Sequence, residues 1–458
     1  MPERARITGA CPGVAGKGKA IMKPNRTLGC FLVITGILGG LSTTARAQVH
    51  VFSGLRHDSN TGLARWLGDI TLSAQIEGGI MANPARPQPG YNYGDFLADH
   101  ANQVQLNQAE FTLQKAIDPT RNTYQVGFTL EGMYGSDARY YQVLGISDRE
   151  WNARYQLIPA QAHMDVHLPW LTRGGLDMQA GILQAPMGVE GLDPTSRPFY
   201  TLAYTSEYSV PFEHVGAMFN WHVTPMVDVT FGIDTGNQTS FGHADNNSAP
   251  AGYFGFNLNH LAHGKLRIVE LSRVGPENSW RAIGHYEADH TQRFWNDISA
   301  YYQVNDRLSL TAEFNYLHDE GTRGIGARGQ FAGVDAESFV SFLSYRINRD
   351  LTFNYRGEIY RDNNNAMVAT FRGNNAYMQA LAGTGGAVVP GPSASSHGTT
   401  YGEMTLGVSY RPQLGHHIGV FMLRPEIRFD RALNGTMPFN GGRNNGMFTF
   451  GGDAVIGF

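Results

Sequence analysis

Tyr124-Gln125-Val126-Gly127-Phe128-Thr129-Leu130-Glu131 alternates without a break, with Tyr124, Val126, Phe128 and Leu130 on one side and Gln125, Gly127, Thr129 and Glu131 on the other. Successive side chains of a strand point to opposite faces, so this stretch predicts a strand with one apolar and one polar face. The same period returns on both sides of it. Upstream, Ile70, Leu72, Ala74 and Ile76 alternate with Thr71, Ser73, Gln75 and Glu77, and Ala109, Phe111 and Leu113 alternate with Glu110, Thr112 and Gln114. Downstream, Ala160, Ala162, Met164 and Val166 alternate with Gln161, His163, Asp165 and His167. Leu176–Ile182, Val215–Trp221, Val227–Ile233, Phe254–Leu258, Ile298–Tyr302, Leu308–Tyr316, 337–347, Leu351–Ile359, Met404–Tyr410 and Leu423–Phe429 continue the pattern. A segment at Leu266–Arg273 has ambiguous phase. The chain closes on Phe448, Phe450, Gly452, Ala454, Ile456 and Phe458, an apolar stripe with a terminal aromatic.

The connectors alternate in length. Short ones are Asp118–Arg121, Trp170–Gly174, Thr224-Pro225, Asn305–Arg307, Asn348–Asp350 and Pro412–His417; long ones cover roughly 82–101, 135–157, 183–214, 235–250, 274–293, 318–336, 362–399 and 430–446. A soluble sandwich has no reason for that rhythm, whereas a barrel with tight turns at one rim and long loops at the other does. In a bilayer every backbone N–H and C=O needs a protein partner, so such a sheet closes on itself. The expected fold is all-β: a transmembrane antiparallel up-and-down barrel of about 16 strands, with about 14 or 18 as alternatives because of the 266–273 segment. A barrel of that size leaves an aqueous lumen, which suits the inward polar face.

The first 47 residues read as an upstream extension and a secretory signal. Met22-Lys23-Pro24-Asn25-Arg26 is a basic start, Phe31–Leu41 an apolar run, and Ala45-Arg46-Ala47 a small-residue cleavage pattern. Met22 is the expected initiator and Gln48 the expected mature N-terminus. Residues 48–68 are expected to form a short periplasmic segment, and 69–458 the outer-membrane barrel. The first 47 residues hold seven of the 35 Lys and Arg and one of the 39 Asp and Glu, leaving 28 basic and 38 acidic residues, net −10. Both cysteines, Cys11 and Cys30, fall in the removed part, which excludes a disulfide frame, Cys-ligated zinc and a thiol nucleophile in the remainder. Only Lys115 and Lys265 remain as lysines, which argues against nucleic acid as a partner and against a phosphate channel. Mean hydropathy is −0.28 and no apolar run after residue 47 approaches the length of a spanning helix.

Several stretches resemble a known family. They are Gln184-Ala185-Pro186-Met187-Gly188-Val189-Glu190, Asp193-Pro194, Arg197-Pro198-Phe199-Tyr200 and Val210-Pro211-Phe212-Glu213-His214-Val215-Gly216, followed by Gly232–Gly236, Ser240–Gly242 and Asp245–Asn247. Together they are similar to the OmpL-like β-barrel porins of Gram-negative outer membranes, over roughly Asp69 to Phe458. The resemblance implies an outer-membrane barrel with pore activity and supplies no catalytic residue.

The residues themselves offer no enzyme. There is no G-x-S-x-G, H-E-x-x-H or P-loop; Gly324–Gly329 fits G-x-G-x-x-G but lacks the strand-to-helix context. His163, Asp165 and His167 share a face but are spread along about 13 Å of strand, so they read as lumenal wall and no metal or cofactor is expected. Asn434-Gly435-Thr436 is read as a chance sequon, and the Gly/Ala/Ser-rich stretch Ala382–Ser396 as a mobile outer loop.

By strand phase the inward acids are Glu77, Glu110, Glu131, Asp165, Asp177, Asp228, Asp234, Asp297, Glu313, Glu358, Glu403, Glu426 and Asp453, against the bases Arg356, Arg424 and Arg428, with Arg346 as a further candidate. Loop 183–214 is expected to fold into the barrel, and the candidate constriction combines its Glu190, Asp193, Arg197, Glu207 and Glu213 with the wall residues Arg356, Glu358, Arg424, Glu426 and Arg428. Two readings stand side by side: a transverse field between acidic loop and arginine wall, or an Arg–Glu network that holds the wall. The expected function is passive diffusion of small hydrophilic solutes and ions with weak cation preference. The alternatives are a specific channel, for instance for sugars along Tyr134, Tyr253, Tyr301 and Tyr360, or a plugged structural or adhesive barrel. Expected partners are outer-membrane lipids and lipopolysaccharide, the barrel-assembly machinery through Phe458, and the permeating solutes, with the chain as monomer or homotrimer.

Overall fold

The computed structural model describes residues 48–52, 62–88, 90–118, 121–149, 151–242, 245–321, 332–390, 398–414 and 418–458. The leader with its cleavage pattern and the Gly324–Gly329 run lie outside the described residues.

Sixteen strands form the wall: β1 Thr71–Ala82, β2 Val104–Lys115, β3 Gln125–Gly135, β4 Gln156–Leu168, β5 Leu176–Gln184, β6 Glu213–Thr224, β7 Val227–Asp234 and β8 Ala251–His260. The second half holds β9 Leu266–Pro276, β10 Gln292–Gln303, β11 Leu308–Gly321, β12 Ala332–Arg346, β13 Leu351–Asp362, β14 Thr399–Tyr410, β15 Val420–Ala432 and β16 Gly446–Gly457. Each pairs antiparallel with its sequence neighbours, and β16 returns to β1 from Phe450↔Ala82 to Gly457↔Gln75. The ring is therefore closed and has no free edge. Phe458 extends the seam by exchanging backbone hydrogen bonds with Ala74 at 2.8 and 3.2 Å. The expected count of sixteen holds; β9 is a full strand, hydrogen-bonded to β8 and β10.

The alternation places apolar side chains on the outer wall, where Ile76, Phe111, Leu130, Met164, Phe254, Phe314 and Phe450 are all exposed. The predicted inward acids are buried, except Asp228, which is half-buried. Two bulges modify the reading. Between β3 and β4, Glu131 faces Gln161 while Gly132 faces Pro159, leaving Ala160 as an extra residue. Ala160 is thereby turned inward and fully buried, not outward beside Ala162 as the period predicts. Between β1 and β2 a shift at Glu77/Gly78 turns both Asn107 and Gln108 inward. Tyr134 faces outward at 40 % exposure and so has no place in a lumenal ladder.

Beyond the wall, Val49–His50 adds to the start of β1, and a helix at Gly62–Gly68 lies against the outside of β3. There Trp66 donates to the Val126 carbonyl at 2.7 Å and packs on Phe128. The expected loop 362–399 carries structure of its own: Ala369–Phe371 pairs with Val388–Pro390 around a helix at Ala376–Leu381. No described helix is long and apolar enough to cross a membrane.

Candidate functional site

The segment between β5 and β6 is interrupted by Pro186, Pro194, Pro198 and Pro211 and cannot join a ladder. Its backbone amides need other acceptors, and wall carboxylates supply them. Glu426 on β15 accepts from the Tyr200 and Thr201 amides at 2.7 and 3.2 Å. Glu358 on β13 accepts from the Tyr204 and Thr205 amides at 2.7 and 2.8 Å, and from the Thr205 hydroxyl at 2.6 Å. Glu313 on β11 accepts from the Val189 amide at 3.2 Å. Within the segment, Glu190 accepts from the Ala203 amide and the Ser206 hydroxyl.

The wall arginines bind the same segment through its carbonyls. Arg424 donates to the Pro194 and Arg197 carbonyls at 2.8 and 2.9 Å, Arg356 to Thr201 at 2.6 Å, and Arg428 to Leu202 at 2.7 Å. Their remaining donors meet acids. Arg356 pairs with Glu190 at 2.8 Å and Glu403 at 3.2 Å. Arg424 pairs with Glu77 at 3.0 Å and also with Asp453. Arg428 meets Asp430 at 2.9 Å and Asp95 at 3.2 Å. From the loop, Arg197 reaches Glu77 at 3.1 Å.

All four guanidiniums are at most 1 % exposed. Loop acid and wall base touch directly, so on this side they form a packed network and not two charged faces across water. The arginines do not pair with Glu358 and Glu426, whose oxygens are taken up by loop amides. Asp193 caps its own turn, accepting from the Thr195 amide at 2.9 Å, and is half-buried. Glu213 stands apart from the network: its carboxylate has no hydrogen-bond partner among the described residues. Arg346 lies at the rim of β12 and donates to the Asp306 carbonyl in a short turn.

Glu207 ties this loop to the one between β1 and β2, accepting from the Phe96 amide at 2.9 Å. Burial raises the Glu207 carboxyl well above its usual range, and the nearby Asp95 adds to the shift. Asp95 itself is pushed up to about 7 by burial, against the pull of Arg428.

Toward the long-loop end, the interior becomes an apolar core. It runs round the wall through Met133, Ile158, Leu183, Met218, Tyr253, Leu271, Trp295, Leu317, Ala336, Tyr360, Tyr401, Ala432 and Met447. Loop aromatics fill its centre. Phe96 stacks on Tyr140 at 4.6 Å and meets Tyr208, Phe371 and Tyr377 at 4.8–5.6 Å. These rings come from four different loops. At the short-turn end the inward residues are polar and half-exposed, among them Gln114, Asn259, Arg267, Tyr301, Thr311 and Ser344. Here His167 meets Asp177 at 2.6 Å, and His222 bridges Asp177 at 3.0 Å and Asp228 at 2.7 Å. His163 contacts Asp165 at 3.1 Å, apart from this chain. No cluster able to hold a metal ion occurs among the described residues.

Two parts of the interior escape the sequence reading. Arg273 on β9 is buried between Asp234, at 2.6 Å, and Glu277; the apolar inward residues of β9 hide its phase. Arg139 and Asp99 pair at 3.1 Å between two outer loops, for which no period exists.

The family model described as "Putative beta-barrel porin-2, OmpL-like" matches residues 69–458. Among solved structures, the outer membrane channel DcaP of Acinetobacter baumannii aligns with a TM-score of 0.50 at 11% identity, covering 85% of this chain and 97% of that one. Salmonella typhi OmpF, in complex with daunomycin, aligns with a TM-score of 0.50 at 9% identity, covering 85% and 97%. At such identities the likeness concerns the fold alone. No curated protein sequence matches the chain. A closed sixteen-strand wall, apolar outside and polar within, and a family match across the whole barrel lead to one conclusion: the chain belongs to the OmpL-like beta-barrel porin-2 family and is a porin channel of the bacterial outer membrane.

Proposed function

We propose that the pore passes small hydrophilic solutes and ions by passive diffusion, with a weak preference for cations. The observation that carries this reading is the charge balance of the interior. The inward arginines Arg356, Arg424, Arg428 and Arg273 are each held by carboxylates, and Arg267, half-exposed nearer the short turns, lies over the Tyr301 ring, while the wall bears many more acids than bases. A guanidinium already paired contributes little net field, so the surplus of acids sets the sign. The segment 185–212, bound to β13, β15 and β1, narrows the path, with Glu190, Asp193, Arg197, Glu207, Arg356, Glu358, Arg424, Glu426 and Arg428 at that level. Glu213, at the start of β6, lies outside the arginine network. The precursor is cleaved after Ala47, Phe458 is the handle for the barrel-assembly machinery, and lipopolysaccharide surrounds the outer half.

Swelling of lipid vesicles containing the purified protein, in sugars of graded size, tests this. Rates that fall smoothly with solute size support diffusion. Entry of one sugar against the size trend points to a specific channel. The aromatic core beneath the outer loops favours a second reading, a plugged structural barrel, for which neither swelling nor conductance steps are expected.

A further inference from the structure

The loop between β13 and β14 reaches over the aromatic core, and its helix Ala376–Leu381 is flanked by Gly373 and Gly383, both at positive φ. Ahead of Gly373 the loop is anchored: the Tyr93 and Tyr208 hydroxyls donate to the Val368 and Ala369 carbonyls, both at 2.8 Å. The helix itself is tied at its two ends by neutral hydrogen bonds. Gln156 donates to Asn375 Oδ1 at 3.0 Å, Ser279 to the Ala382 carbonyl at 2.8 Å and Asn246 to the Leu381 carbonyl at 3.4 Å. Arg372 is the one charged residue of 363–390, and it is exposed. A short helix between two glycines, held by such contacts, is the kind of unit that opens locally while the rest stays folded.

Tyr377 points from this helix into a slot built by the rest of the protein. Its ring centroid lies 5.1 Å from that of Phe371, 5.6 Å from Phe96, 5.7 Å from Tyr140 and 6.3 Å from Phe212. Its hydroxyl donates to Gln238 Oε1 at 2.7 Å, and the Asn237 side chain bonds the same hydroxyl. Gln238 is fixed for this task. It is fully buried, and its amide nitrogen donates to the Tyr140 and Gln142 carbonyls at 2.8 Å each, so the amide oxygen is the atom left to face the ring. Its backbone is left-handed at φ 56°, a conformation that costs a residue with a side chain and that persists where the surroundings demand it.

Lifting the helix takes the Tyr377 donor away from a buried acceptor and uncovers the surrounding rings, and both changes are unfavourable. A ligand with the chemistry of the departing side chain restores both. We propose that the slot is a binding site for solutes that carry a phenol ring, with Tyr377 as their stand-in, and that a bound phenol holds the helix away from the core. This rests on the reading of the barrel as a solute channel. A plain aromatic ring fills the slot but leaves Gln238 unpaired, and a site built around a hydroxyl discriminates strongly against the analogue that lacks it. Because the ligand binds only the lifted form, it shifts the population toward that form.

The test uses the purified full chain in detergent, with N-acetyltyrosinamide as probe and N-acetylphenylalaninamide, which lacks the hydroxyl, as control. Tyr377→Ala removes the internal competitor. By calorimetry this variant is expected to bind the tyrosine probe about tenfold more tightly than the wild type does, and to prefer it about tenfold over the control. Adding Gln238→Leu is expected to erase that preference. In the wild type, where no variant has to fold, millimolar tyrosine probe is expected to speed proteolysis within 363–390 and the control is not. Equal affinity of Tyr377→Ala for the two probes overturns the proposal, as does a wild-type cleavage rate that the tyrosine probe leaves unchanged. Neither readout depends on ion flow, so a barrel that binds the probe but does not conduct overturns the diffusion reading alone.

Discussion

The two ends of the barrel interior are built on opposite principles. At the long-loop end, inward positions carry Met133, Leu183, Trp295, Leu317, Tyr360 and Met447, joined by loop aromatics into one core like that of a soluble domain. At the short-turn end the inward positions carry Gln114, His222, Asp228, Asn259 and Tyr301, half-exposed and hydrogen-bonded to neighbours on the wall. Between them lies the level of Arg356, Arg424 and Arg428. The outer wall needs only one rule, apolar against lipid, while the inner face obeys two: it packs where loops enter and stays polar and half-exposed where they do not.

Arg356→Ala leaves Glu190 buried without its cation and Glu403 with only Arg428 at 4.0 Å, and is expected to destabilise the fold by about 3–5 kcal/mol, read from urea-dependent folding into lipid vesicles. A loss near zero would mean that this level is hydrated. Phe96→Ala opens a cavity where four loops meet and is expected to cost about 3 kcal/mol, with faster proteolysis in segment 363–398. If proteolysis is unaltered, the aromatic contacts do not hold the loops.

A pH series sharpens the same contrast. Asp95 has its carboxyl raised from 3.8 to about 7, so between those values the folded loop holds a proton that the unfolded chain has lost. Its contribution is complete below about pH 4 and disappears as pH rises through about 7. Stability of the loop contact, followed by proteolysis, should therefore fall across that window, and Asp95→Asn should flatten the profile. A wild-type profile that is flat from pH 4 to 8 rules the effect out. The smallest effect is expected at the wet end: Gln114→Ala removes one hydrogen bond to Thr129 in a half-exposed place and should cost under about 1 kcal/mol. A loss as large as that of Phe96→Ala would show that the short-turn end is packed too.

The wall was legible in sequence because period 2 is imposed by the backbone itself and a bilayer punishes exceptions. Tyr124–Glu131 and Phe448–Phe458 needed no context. Ala160 was misplaced because a bulge adds one residue and leaves no mark in the pattern. β9 was ambiguous because its outward Glu270 and inward Leu271 invert the expected polarity. At the level of the proposed constriction the identities of Arg356, Arg424 and Arg428 follow from phase, but their partners do not. Partner choice depends on how a proline-broken loop falls across the barrel, which spent Glu358 and Glu426 on loop amides and brought in Asp95, Glu77 and Asp453 instead. Contacts between loops, such as Arg139 with Asp99, have no sequence period at all.

Under the proposed function, paired arginines leave the acids to set the sign of a conducting pore. The reversal potential of the purified protein in a planar bilayer under a KCl gradient tests it most directly. A modest potential of the sign for potassium over chloride is expected, little changed by Arg424→Ala or Arg428→Ala beyond their effect on folding. A clear chloride preference that either substitution abolishes would contradict the account, because those guanidiniums would then face the permeating ions.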